Sequence, residues 1–91
     1  MDNKRVKVSA DALSQEVDGE TVVLDLNSEA YFGLDQVGTR IWQLIQEVGN
    51  LPAVYDIMLE EYDVDGELLK KDLELFVARL AEAGLISVSL E

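Results

Sequence analysis

The 91-residue chain contains no cysteine, no histidine and a single proline. Without cysteine there is no disulfide framework, no thiolate zinc site and no thiol nucleophile. Without histidine the commonest general base is missing too. Ser9, Ser14, Ser28, Ser87 and Ser89 have no neighbouring pattern that would activate a hydroxyl, and no P-loop or GxGxxG phosphate cradle is present. Glu60, Glu61 and Asp63 read as a solvated acidic corner. The stretch Asp63-Val64-Asp65-Gly66-Glu67 is too short for a calcium loop and reads as a helix-capping turn. The sequence therefore predicts no catalytic residues, no metal site, no cofactor and no enzymatic activity.

Positive charge is scarce. Seven Lys and Arg stand against nineteen Asp and Glu, a net charge of −12 and a pI near 4.1. Phosphate backbones are repelled by such a chain. The few bases form no stripe: Lys4, Arg5 and Lys7 lie near the start, Arg40 stands alone, and Lys70, Lys71 and Arg79 come late. Nucleic acid is thus excluded as a partner, and a neutral or basic peptide is the better match; solubility is the plain alternative reading of the acidity. No apolar run reaches the ~18 residues of a membrane span, and Met1 to Arg5 lacks a signal-peptide core. The expectation is a cytoplasmic protein without a membrane partner.

What is present suits one small folded domain over residues 1–91, with 48% hydrophobic residues and a mean hydropathy of +0.06. Val6-Lys7-Val8 alternates in polarity. Asp18-Gly19 is a two-residue hairpin signal, because a type I′ turn needs positive φ at both central positions. Thr21 to Leu26 is β-branched and aliphatic, Asn27-Ser28-Glu29 turns the chain, and Ala30 to Leu34 gives the next strand, completing an antiparallel meander of three strands. Three helices follow. Val37, Ile41, Leu44, Ile45 and Val48 share one face of the first, capped by Asp35 and ended by Gly49-Asn50. Pro52 suits the first turn of the second, and Asp65 can cap the third, whose stripe is Leu69, Leu73, Phe76, Val77 and Leu80. Trp42, one position off the first stripe, is expected at the rim of the core. Ser87 to Leu90 is open between a short strand and a frayed end. The fold class is α+β, winged helix-turn-helix-like: a three-stranded antiparallel sheet followed by three α-helices.

The segment Ala30-Tyr31-Phe32-Gly33-Leu34 carries neither charge nor proline, the usual means of blunting a sheet edge. An extended peptide could add to it as a further strand, and Gly33 would let that backbone come close. Equally, Tyr31 and Phe32 could simply pack the core. Lys71, Asp72, Leu75 and Arg79 flank the stripe of the third helix, where they either line a groove with the edge strand or form a solvated face.

The order and spacing of Asp18-Gly19-Glu20-Thr21-Val22-Val23-Leu24-Asp25-Leu26, Tyr31-Phe32-Gly33-Leu34-Asp35-Gln36-Val37-Gly38-Thr39-Arg40-Ile41-Trp42, Glu61-Tyr62-Asp63-Val64, Lys71-Asp72-Leu73 and Gly84-Leu85-Ile86 resembles the PqqD-like family. The resemblance runs from about Ala10 to Ile86. It implies a recognition element that binds the leader of a ribosomally made precursor peptide and presents it to modifying enzymes. The leader would add to Ala30, Tyr31, Phe32, Gly33 and Leu34 and lie against Lys71, Asp72, Leu75, Phe76 and Arg79. The aromatic-Gly-Leu-Asp-x-Val-Gly stretch is most similar to the leader-binding proteins of lasso-peptide clusters. That version implies a leader-cleaving cysteine protease and an ATP-dependent cyclase as partners; the quinone-cofactor version implies a radical-SAM enzyme. A bare strand edge also leaves open a strand-swapped homodimer.

Overall fold

A computed structural model describes residues 3–90. Eight elements follow in chain order: β1 (Lys4–Val8), β2 (Ala12–Val17), β3 (Glu20–Asp25), β4 (Tyr31–Leu34), α1 (Gln36–Val48), α2 (Leu51–Glu61), α3 (Gly66–Glu82) and β5 (Ile86–Leu90). The expected meander is there, an antiparallel sheet in the order β2-β3-β4. Its first turn has Asp18 at φ 53° and Gly19 at φ 81°, the double positive φ a type I′ hairpin requires. Asp25 anchors the second turn, accepting from the Asn27 N–H and the Ser28 hydroxyl, while its own N–H donates to the Ala30 carbonyl. β4 itself begins at Tyr31, one residue later than expected, with Ala30 joined to β3 through that single bond.

The caps are where the residue types put them. Asp35 Oδ1 accepts from Gly38 N–H at 2.8 Å, Asn50 Oδ1 from Ala53 N–H at 2.9 Å, and Asp65 Oδ1 from the N–H groups of Glu67 and Leu68. Each side chain satisfies donors that the first helical turn leaves free. Pro52 lies in the first turn of α2, where its missing N–H costs nothing.

One pairing reaches across nearly the whole chain. β1 and β5 form a separate antiparallel ribbon, with Lys4 opposite Leu90 and Val8 opposite Ile86. Ser87 to Leu90 is therefore a paired strand and not a frayed end. Val6 is buried in this ribbon, and its N–H donates to the Gly49 carbonyl, tying the ribbon to the end of α1.

The core lies among α1, α2, α3 and the inner faces of both sheets. Val23, Leu73, Val54 and Leu85 are completely buried. Two expectations for α1 need correction. Trp42 is only 2% exposed and sits in the core, not at its rim; Val37 is 44% exposed instead of buried. α1 packs against β1, β3, β4 and α2. A helix enclosed on several sides buries a broad sector, here Ile41, Trp42, Leu44 and Ile45, while its first turn buries Gly38 and Thr39.

Candidate functional site

The site is assembled from one short strand and the last three turns of one helix. β4 pairs with β3 through Leu34–Thr21, Gly33–Val22, Phe32–Val23 and Tyr31–Leu24. Among the described residues no strand lies on its other side, so backbone donors and acceptors along that edge are open to a further strand. Alternation turns Phe32 and Leu34 inward, Leu34 being buried and Phe32 half-buried against the core.

Facing this edge, the C-terminal half of α3 completes a groove of about 470 Å³ lined by Phe32, Gly33, Leu34, Phe76, Arg79, Leu80, Glu82 and Ala83. A second hollow of about 470 Å³, lined by Asp72, Leu75, Phe76 and Arg79, continues it along the helix and shares two residues with it. From residue 72 to 83 the helix advances ~16 Å at 1.5 Å per residue, the length of about five extended residues. The floor is apolar, with Arg79, Glu82 and Asp72 supplying charge along one wall.

Gly38 makes this arrangement possible. A Cβ there would stand 3.3 Å from Phe76 Cε1, from Leu34 Cβ and from Asp35 Oδ1. The bare α-carbon lets the Phe76 ring settle against the start of α1 and the end of β4, so α3 is held at groove distance. Gly33 has the opposite surroundings, with no atom within 4 Å of a Cβ built on it. No neighbour within the fold requires glycine at that position.

The structure thus brings Phe32, Gly33, Leu34, Phe76 and Arg79 into one groove and Asp72 and Leu75 into its extension. Ala30 precedes the strand. Tyr31, 74% exposed, projects from the outer face of the sheet. Lys71 borders a hollow with Glu67, Lys70, Glu74 and Leu75, and does not line the groove. Sequence reasoning did not name Leu80, Glu82 and Ala83 for the site, although Phe76, Arg79, Leu80 and Ala83 follow the three- and four-residue spacing of one helical row. Arg40, which stands alone among the basic residues in sequence, has an internal partner: its Nε donates to Glu61 Oε1 at 2.8 Å and its Nη2 to Glu61 Oε2. Among the described residues no group of three or more His, Cys, Asp or Glu could hold a metal ion, and no helix is long and apolar enough to cross a membrane.

The family model described as coenzyme PQQ synthesis protein D (PqqD) matches residues 20–86, from the first residue of β3 to the first of β5. The chain belongs to the PqqD family. Two solved structures resemble this PqqD-family chain closely. One, described as TbiB1 in complex with the TbiA(beta) leader peptide, is 38% identical with a TM-score of 0.85, covering 89% of this chain and 94% of its own. The other, lasso peptide synthetase B1 complexed with the leader peptide, is 25% identical with a TM-score of 0.80, covering 91% and 98%. No curated protein sequence matches the chain. Both neighbours were captured with a leader peptide, and both share the α+β fold of this chain.

Proposed function

We propose that this PqqD-family chain binds the leader of a ribosomally synthesised precursor peptide as an added strand along β4, with leader side chains seated in the groove against α3. The observation that carries this reading is the open β4 edge facing an apolar groove of about 470 Å³. Main-chain hydrogen bonds to the edge supply affinity for any extended peptide, and the groove selects side chains. Phe32, Gly33 and Leu34 form the strand side; Phe76, Arg79, Leu80 and Ala83, with Asp72 and Leu75 beyond, form the helix side. The bound leader is presented to the enzymes that process it, and the chain itself works as one non-catalytic domain. Its leader-bound neighbours support the lasso-peptide version, with a leader-cleaving cysteine protease and an ATP-dependent cyclase as partners. The PQQ description of the family supports the alternative, in which the recipient is a radical-SAM enzyme.

Fluorescence anisotropy with a labelled leader from the cognate precursor tests the reading. Saturable binding below about 10 μM, roughly −7 kcal/mol, is expected. Phe76→Ala should weaken it at least tenfold, since an aromatic anchor in a groove carries a large share of binding energy. A leader that fails to bind, or binds Phe76→Ala equally well, overturns the proposal.

A further inference from the structure

A peptide added along β4 has to be held in one register as well as bound. The main-chain hydrogen bonds of a strand edge repeat every two residues and are alike at each step. A slip of one residue turns every side chain to the other face, so the apolar alternation of the bound segment forbids it. A slip of two residues keeps the faces and moves the peptide only ~7 Å. Phe32, Leu34, Phe76 and Leu80 give the groove an apolar floor that runs on toward Leu75. Burial of apolar area is non-directional, so such a floor separates two-residue steps poorly. A charge at a fixed point separates them well.

Arg79 is that point. Phe76 and Arg79 are the two residues that line both the main groove and its extension, so a peptide passing from one hollow to the other crosses Arg79. The side chain is exposed, and among the described residues its guanidinium makes no ion pair or hydrogen bond. Arg40, by contrast, is occupied by Glu61, and Lys70 and Lys71 lie off the groove beside Glu67 and Glu74. In a chain of net charge −12, the two hollows thus hold a single base, and it is unpartnered. Acids stand on both sides of it: Glu82 is ~4.5 Å onward along the helix axis and Asp72 ~10 Å back. A peptide carboxylate over Arg79 gains a guanidinium able to bind it through two N–H groups. Moved ~7 Å either way, the same carboxylate comes toward Glu82 or Asp72 and is repelled. Resting on the proposed leader binding, we infer that Arg79 sets the register of the added strand by pairing with one Asp or Glu side chain of the leader that points into the groove. The rest of the groove-bound segment is free of acid, because the −12 body repels further negative charge.

The test is a charge swap read by fluorescence anisotropy, with the full chain and the labelled cognate leader, each Asp and Glu of the leader being changed to Arg in turn. Arg79→Glu should weaken binding of the unaltered leader about tenfold at 50 mM NaCl, and the loss should shrink at 300 mM. One leader variant should lose about tenfold against the wild-type chain yet bind Arg79→Glu within about threefold of the original affinity. Register is read directly by disulfide trapping, which the absence of cysteine from the chain makes clean. Ala83→Cys, on the groove wall, should trap single-cysteine leaders at one position; adding Arg79→Gln should spread trapping to positions two residues away. The trapping arm decides the matter should Arg79→Glu fold poorly. Equal leader affinity for Arg79→Glu, the lack of any rescuing leader variant, or trapping at one position with and without Arg79 overturns the inference and leaves leader binding standing. A leader that fails to bind the wild-type chain overturns the functional proposal itself, and the inference with it.

Discussion

Gly38 and Trp42, one turn apart on α1, show how single residues set the site and its support. Gly38→Ala places a methyl 3.3 Å from the Phe76 ring, so the ring or the helix carrying it must shift. We expect a several-fold loss of leader affinity with a modest drop in Tm, read by anisotropy and thermal melting together. Trp42 buries its indole with Nε1 lacking a hydrogen-bond partner among the described residues. A buried unsatisfied donor costs about 1–3 kcal/mol. Trp42→Phe removes that cost along with some packing and should change stability by less than about 1.5 kcal/mol, whereas Trp42→Ala should lose about 3–5 kcal/mol. Chemical denaturation separates the two outcomes. Arg79→Glu, at an exposed position on the groove wall, should change leader affinity while leaving Tm nearly unaltered; equal affinity would remove Arg79 from the site. The strand half of this site was legible because Tyr31 to Leu34 has no gatekeeping charge. The helix half was legible only in part, because periodicity tells which residues share a row but not which row faces the strand. Lys71 and Arg79 both flank the same apolar stripe, and only tertiary packing separates them.

Elements joined locally were readable in advance, and those joined at a distance were not. The Asp18-Gly19 hairpin and the Asp35 and Asp65 caps each depend on a few adjacent residues. The β1–β5 ribbon depends on a partner more than seventy positions away, and neither strand's pattern names the other. The same holds for the link between α1 and α2. Arg40 grips Glu61 with two guanidinium N–H groups and also donates to Gln43 Oε1 at 3.2 Å. The hydrogen bond from Arg40 holds the Glu61 carboxyl below its ordinary range. A depressed carboxylate pKa stabilises the fold above the unfolded value, and that contribution fades as pH falls through the folded one. Glu61→Gln should therefore melt slightly below wild type at pH 7, with the gap closing below about pH 4. Both groups are solvent-accessible, so the effect is small. A gap that persists unchanged at pH 2.5 would mean that Glu61 acts through packing and not through charge.

For the molecule as a whole, the −12 charge is confined to a body with a radius of gyration of 12.6 Å. Self-repulsion at that density opposes folding, and salt relieves it. Raising NaCl from 20 to 300 mM should raise Tm by a few degrees; a fall would point to favourable ion pairs outweighing the repulsion. Composition alone carries this expectation, as it does the expectation against nucleic acid, because long-range electrostatics depends on totals more than on placement. The ribbon that closes the fold has another consequence. With Lys4 beside Leu90, the path into the domain and the path out of it run side by side. A short bridge between those strands would make the backbone a closed ring, which could then be opened at the exposed Asp18-Gly19 turn without cutting β4, α1 or α3. By the same geometry, the whole unit can be spliced into a surface loop of a larger enzyme, its two junctions a strand's width apart, and arrive there with its open β4 edge intact.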